Sequence, residues 1–228
     1  MKIEELKKGL IVSCQAMADE PMYGSEVMAM FAQAAQMGGA VAVRINSVPD
    51  ILAVKKKIDL PVIGLLKRDY PDSLCRITPT MREVQAVYLA GAEIVALDCT
   101  KNPRPNGEKL ETLLNNIRRE FPDLLIMADI STLEEGIRAY EYGVDMVGTT
   151  CAPGTPGMEF AEPSNELVAQ LCQQIKVPVI AEGRYFGSAT AIKAFELGAH
   201  NVVIGAGVTR PQVITRKIVK EITDAKVL

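Results

Sequence analysis

The chain has 228 residues, 48 % hydrophobic and 23 % charged, a balance that fits a globular domain and excludes a disordered or fibrous one. Its net charge of −3 gives no broad positive surface for nucleic acid or anionic membrane, but leaves room for a local anion site. Five cysteines without a CxxC pair, and one histidine, His200, exclude a disulfide framework and a structural zinc site.

The first segment is MKIEELKKGLIVSC. Its apolar run GLIVS (9–13) is too short and too closely flanked by charge for a signal peptide, and reads as a strand. A helical pattern follows in SEVMAMFAQAAQMG (25–38). Strands are then predicted at AVAVR (40–44), PVIGLLK (61–67), IVALD (94–98), LLIMAD (124–129), DMVGT (145–149), PVIAEG (178–183) and NVVIG (201–205). Further helical segments lie between them, at MREVQAVYLAG (81–91), TLEEGIRAYEYG (132–143) and SATAIKAFELG (188–198). The strands are continuous Val/Ile runs rather than alternating ones, the mark of parallel strands buried on both faces. Cys14, Cys99 and Cys151 lie in or beside apolar runs. They read as small buried hydrophobes in a reducing cytosol.

An internal repeat organises this order. MGGAVAVR, AGAEIVALD, YGVDMVGT and LGAHNVVIG each place a glycine shortly before strands two, four, six and eight. That glycine suits the left-handed turn just past a helix. Strands three, five and seven follow a proline instead. Eight strands with a two-unit alternation predict a closed (β/α)8 TIM barrel forming one domain over 1–228. An open doubly wound sheet is the alternative, but no GxGxxG follows the first strand. His200, just before strand eight, reads as structural.

Barrel chemistry sits at the C-terminal strand ends. The odd strands end on Ser13 and Gln15, Lys67, Asp129 and Glu182; the even ones end on Arg44, Asp98, Thr149 and Gly205. Strands three and seven lie opposite each other, so Lys67 and Glu182 are expected to face one another across a substrate. Asp98 is expected either to cap its own turn or to pair with Lys101. EGRYFGS contributes Gly183 and Arg184; GAGVTRP contributes Gly205 and Arg210. Glycine-rich loops with arginines after strands seven and eight predict a phosphate site. GTPGMEF (154–160) reads as a lid. A lysine and a glutamate beside a phosphorylated small molecule suit proton transfer next to a carbonyl, with Lys67 kept partly neutral by burial and by Arg44. No metal and no cofactor is expected.

Several collinear motifs carry a family resemblance: GLIVSCQA, the EP of DEPMYG, GGAVAVRINS, DLPVIGLLKRDYPDS, ITPT, ALDCTKNPRP, LLIMADIST, EEGIRAYEYGVDMVGTT, PVIAEGR and GVTRP. Together they resemble the N-acylglucosamine-6-phosphate 2-epimerases, also called N-acetylmannosamine-6-phosphate 2-epimerases. The resemblance implies a (β/α)8 barrel of sialic acid catabolism. It implies interconversion of N-acetylmannosamine 6-phosphate and N-acetylglucosamine 6-phosphate. By motif, Lys67 corresponds to the family's catalytic lysine and Glu182 to its glutamate. Gln15, Arg44, Asp129 and Arg210 correspond to substrate-contacting positions. The segment after GTT, CAPGTPGMEF (151–160), departs from the family's Ser-Gly-Tyr-Thr type. Another phosphosugar epimerase or isomerase on this fold is the alternative activity, and a non-catalytic phosphosugar binder the alternative class. The expected partner is an amino-sugar phosphate in the cytoplasm, with no nucleic acid and no membrane. Association with further copies of the chain is left open.

Overall fold

Each of the eight apolar runs forms one parallel strand. In chain order these are β1 (Gly9–Cys14), β2 (Ala42–Asn46), β3 (Val62–Leu65), β4 (Ile94–Asp98), β5 (Leu125–Asp129), β6 (Met146–Gly148), β7 (Val179–Ala181) and β8 (Asn201–Ile204). Each strand pairs with its sequence neighbours. β8 pairs back onto β1, with Gly9 opposite Asn201 and Val12 opposite Ile204, so the sheet closes. The computed structural model describes residues 1–153 and 160–225. The helices are α1 (Ser25–Met37), α2 (Val48–Lys55), α3 (Met81–Leu89), α4 (Leu110–Glu120), α5 (Leu133–Glu141), α6 (Asn165–Gln174), α7 (Ser188–Glu196), the short α8 (Ala206–Thr209) and α9 (Pro211–Asp224). The architecture is the (β/α)8 barrel expected from the repeat. No helix among the described residues is long and apolar enough to cross a membrane.

The period-two pleat sorts each strand into two cores. Ile11, Ala42, Ile63, Leu65, Ile94 and Met127 point inward and fill the barrel, with Leu6 packed among them. Val12, Val43, Val62, Val95, Val147 and Val202 point outward and pack under the helices. Each fully buried Ile, Leu or Val contributes about 1.5–3 kcal/mol. Because both faces are buried, the strands carry no polar alternation, which is why they read as continuous apolar runs.

The helix-ending glycines behave as the repeat predicts. Gly39, Gly91, Gly143 and Gly198 take φ of 87°, 93°, 81° and 104°, where a side chain would be strained. Helix starts are set by capping. In α5, Thr132 Oγ1 accepts from Glu135 N–H at 3.3 Å, while the Glu135 carboxylate accepts from Thr132 N–H (3.1 Å), Ser131 N–H (2.8 Å) and Lys101 N–H (2.7 Å). Burial opposes ionisation of Glu135, but the hydrogen bonds from Ser131, Lys101 and Thr132 outweigh it and hold its carboxyl below the usual range.

Several boundaries differ from the sequence reading. β2 begins at Ala42, because residues 39–40 belong to the helix exit: Gly39 N–H donates to Gln36 O and Ala40 N–H to Ala35 O. β3 stops at Leu65, and Lys67 instead forms an antiparallel bridge with Ile77. β7 stops at Ala181, so Glu182 stands one residue beyond it. His200 Nε2 lies 2.9 Å from Leu6 O, a structural contact. Cys14, Cys75 and Cys99 are buried and Cys151 and Cys172 half-buried, all as free thiols. The segment expected to be a lid lies, apart from Phe160, outside the described residues.

Candidate active site

Above the apolar fill, the inward pleat turns polar at the ends of β1, β2, β3, β5 and β7. Two residues beyond Ile11 comes Ser13, beyond Ala42 comes Arg44, and beyond Leu65 comes Lys67. Two beyond Met127 comes Asp129, and two beyond Ile180 comes Glu182. These groups form two storeys. The lower one is closed to water: Arg44 is 1 % and Asp129 0 % exposed.

The lower storey is an ion cluster. Arg44 Nη2 donates to Asp129 Oδ2 at 2.6 Å, and Nη1 to Asp129 Oδ1 at 3.0 Å. The fork is bidentate, the strongest arginine–carboxylate geometry. Nη1 also donates to Glu182 Oε2 at 2.8 Å. Thr150 Oγ1 lies 2.5 Å from Asp129 Oδ1 and 3.1 Å from Glu182 Oε2, with one proton to donate between them. Gly148 makes room for this: a Cβ there would stand 2.4 Å from Met127 Cε and 3.4 Å from Asp129 Oδ1. The carboxylates raise Arg44 above its ordinary pKa, more than offsetting the burial that opposes its charge. The two Arg44 Nη groups are thus held by Asp129 and Glu182, while Arg44 Nε is buried with no hydrogen-bond partner in the structure. In this structure neither the Arg44 nor the Asp129 side chain lines the two cavities above; both stand directly beneath Glu182, which does.

Among the described residues, two cavities meet above the cluster. The smaller, about 170 Å³, is lined by Ser13, Gln15, Lys67, Glu182, Gly205, Ala206, Thr209 and Arg210. The larger, about 410 Å³, shares Ser13, Glu182, Gly205 and Ala206 with it and extends between the loops after β6, β7 and β8. Lys67 and Glu182 thus border one space, as expected for opposite strands. Burial lowers the Lys67 pKa; Arg44, Arg210 and Arg76 lower it further, and Glu182 opposes them. Burial raises the Glu182 carboxyl to about 7; Arg44 opposes this and Asp129 reinforces it. Each group is thereby moved toward neutrality, the condition for a proton exchanger near physiological pH.

Arg210 borders the smaller cavity and is fixed from the neighbouring loop after β1. Its Nε lies 3.2 Å from Glu20 Oε1. Glu20 also accepts from Met17 N–H (2.7 Å) and Gln212 Nε2 (3.0 Å). Gln15 Nε2 donates to Ser13 Oγ at 2.9 Å, and its Oε1 is buried with no partner in the structure. That leaves an acceptor beside the cavity, and unpaired buried acceptors are uncommon.

Arg184 lines the larger cavity, but its guanidinium is bonded within the protein. Its Nε donates to Glu162 O (3.0 Å), Nη1 to Ala152 O (3.0 Å), and Nη2 to Pro153 O (2.9 Å) and Ser164 Oγ (3.0 Å). The guanidinium is occupied in tethering the chain on both sides of the β6–α6 connection, and little of it is left for a phosphate. Gly183 and Gly205 line the same cavity, and Gly205 caps α8. Asp98 Oδ1 accepts from Thr100 N–H (3.0 Å) and Thr100 Oγ1 (2.7 Å), so it caps its own turn.

Two contributors were not read from the sequence. Thr150 follows Gly148 by two residues, so the pleat itself was the signal. Glu20 lay within the quoted EP dipeptide, but nothing local pointed to Arg210, 190 positions away.

Comparison with known proteins adds the lineage. The family model described as "Putative N-acetylmannosamine-6-phosphate epimerase" matches residues 28–224. A protein of Caldanaerobacter subterraneus subsp. tengcongensis is 46 % identical over 225 residues, covering 98 % of this chain and 95 % of that one. One of Clostridioides difficile is 45 % identical over 221 residues, covering 96 % and 98 %. Both are named "Putative N-acetylmannosamine-6-phosphate 2-epimerase". A solved structure of the N-acetylmannosamine-6-phosphate 2-epimerase from Clostridium perfringens superposes with a TM-score of 0.89 at 44 % identity, covering 96 % of this chain and 95 % of that one. A thiamine phosphate pyrophosphorylase from Pyrococcus furiosus, at 18 % identity and a TM-score of 0.59, shares the fold alone. With the family match spanning most of the barrel and these relatives aligned almost end to end, the chain belongs to the N-acetylmannosamine-6-phosphate epimerase family.

Proposed function

We propose that the chain is an isomerase that interconverts N-acetylmannosamine 6-phosphate and N-acetylglucosamine 6-phosphate by moving the proton at C2. Family membership supports the substrate. The observation that carries the chemistry is the shared cavity bordered by Lys67, with its lowered pKa, and Glu182, with its raised one. In the open-chain sugar, the neutral Lys67 amine takes the C2 proton. The C–H electron pair becomes the C1–C2 double bond, and the carbonyl pair moves onto O1. Return of a proton to the opposite face inverts C2. Deuterium incorporation at C2 in heavy water, followed with each sugar phosphate, tests this. Turnover without exchange would rule out the enolate path.

Glu182 handles the hydroxyl proton released and recovered as the sugar ring opens and closes. Burial pushes its carboxyl up to about 7, so the rate profile is expected to bend near neutrality. Glu182→Gln keeps the shape and is expected to lower kcat by about two powers of ten and to erase that bend. An unchanged profile at full rate would remove Glu182 from the reaction.

Arg210 binds the phosphate, with the backbone around Gly183 and Gly205 completing the seat and Gln15 Oε1 accepting from a sugar hydroxyl. In barrels the loops after strands seven and eight are the usual phosphate seat. Arg210→Ala is expected to raise KM roughly tenfold or more, since a charge-assisted hydrogen bond is lost. It should weaken inhibition by inorganic phosphate in parallel, with a smaller loss in kcat. Unaltered KM and phosphate inhibition would place the phosphate elsewhere.

A further inference from the structure

The ITPT motif lies away from the chemistry described so far, yet it is built into the backbone that bears Lys67. β3 and β4 pair only low in the barrel, Ile63 opposite Ile94 and Gly64 opposite Val95. Above that level, residues 76–78 fold back and fill the gap between the strands. Arg68 N–H donates to Arg76 O (2.9 Å), Thr78 N–H to Leu66 O (3.0 Å) and Asp98 N–H to Ile77 O (2.9 Å). The Thr78 hydroxyl donates to Ala96 O at 2.7 Å and accepts from Leu66 N–H at 3.1 Å. One side chain thus supplies the rungs that the two strands no longer give each other.

Thr78 does this in an unfavourable conformation. It is fully buried (0 % exposed) with φ 46°. A β-branched residue rarely adopts the left-handed region, and such strain persists only where the surroundings impose it. From the β2 side, Asn46 Oδ1 accepts from Lys67 N–H at 2.9 Å. The 66–67 peptides are therefore gripped from both sides, by Thr78 of the fold-back and by Asn46 of β2.

We propose that Thr78, together with Asn46, is the positioning device of the reaction: the pair sets the height and heading at which Lys67 enters the cavity. This rests on Lys67 being the base at C2. Thr78 is fully buried and its one hydroxyl proton is held by Ala96 O, so it acts through Lys67 and does not touch the sugar. A shift of the amine by about 1 Å is enough to cost on the order of a hundredfold in rate.

The test compares Thr78→Ala, Thr78→Ser and Asn46→Ala for kcat, KM and the pH dependence of kcat, with Lys67→Met as control. Thr78→Ala is expected to lower kcat by about 10- to 100-fold with KM within about threefold. Its ascending pH limb should move toward higher pH as Lys67 gains water and its pKa relaxes upward. Thr78→Ser keeps both hydrogen bonds and is expected within about threefold of the parent rate. A purely structural role would lower the melting temperature and leave kcat per folded molecule, and the pH limb, where they were. Wild-type kcat with an unmoved limb in Thr78→Ala overturns the proposal, as does a Thr78→Ser variant as slow as Thr78→Ala. If Thr78→Ala does not fold, Asn46→Ala decides: it loosens the same segment from a half-exposed position. A kcat loss of about tenfold with a shifted limb supports the proposal, and parent-like kinetics overturn it. If Lys67→Met exchanges C2 at the parent rate, the base assignment has failed, and the positioning role with it. If Lys67→Met is dead and Thr78→Ala and Asn46→Ala are normal, only the positioning role has failed.

Discussion

Lys67→Met is expected to fold, to retain substrate binding, and to lose two to four powers of ten in C2 proton exchange, on the order of what a positioned general base contributes. Methionine keeps the length and most of the packing of the stem while deleting the amine. Stability should change little. Burial and the nearby Arg44, Arg210 and Arg76 already disfavour the charged lysine, with only Glu182 pulling the other way. In the parent, activity should climb as pH rises through a lysine pKa below the ordinary range, because only the neutral amine accepts the proton. The measurement is deuterium incorporation at C2, with binding followed separately. A variant that binds and exchanges at the parent rate would reduce Lys67 to a solvated residue at the rim.

Arg44→Met should strike stability instead. It strips the only arginine from the buried cluster and leaves Asp129, 0 % exposed, and Glu182, 12 % exposed, without their cation. Removing one partner of a buried pair costs about 3–5 kcal/mol, because the remaining charge has neither water nor counterion. The loss has a pH sign. The Glu182 carboxyl is raised in the folded chain even with Arg44 beside it, and without Arg44 it rises further. A group raised on folding favours the folded state below its unfolded pKa, and that advantage disappears as pH rises through the folded value. Urea titrations should therefore show the variant closest to the parent near pH 5 and furthest from it near pH 8. A difference under about 1 kcal/mol at pH 8 would mean that the buried cluster does not depend on Arg44 for its stability.

The barrel and its chemistry were legible in the sequence for the same reason. A strand buried on both faces is an unbroken apolar run, so the first polar residue in the inward register stands out. Lys67 after Leu65 and Glu182 after Ile180 follow that rule, and IVALD matches β4 residue for residue. What lay outside it was set by folding of the loops. PVIGLLK reads as strand through Lys67, because nothing in it announces that residues 76–78 will take over the pairing after Leu65. Arg184 looked like a phosphate ligand because it follows Glu182 and Gly183, yet φ of 63° turns the chain there and its guanidinium meets the carbonyls of residues 152, 153 and 162 instead. Arg44 comes from an even strand, and a simple layer rule separates it from Asp129 and Glu182. The reach of its side chain joins what the layer rule keeps apart.

The closure of the ring carries a consequence for synthesis. β1 needs β2 on one side and β8 on the other, and the Asn201 amide donates to the carbonyls of Lys7 and Gly9, at 2.9 and 3.0 Å. During synthesis the first strand of the barrel thus waits for its eighth, roughly 190 residues later. At about 5–20 residues per second, that interval is roughly 10–40 s. Throughout it, one side of β1 shows unpaired N–H and C=O groups, an open template for a second nascent chain. The residues that tie β1 to β8 at the base of the barrel therefore end the period in which this chain is most exposed to misassembly, while taking no part in its chemistry.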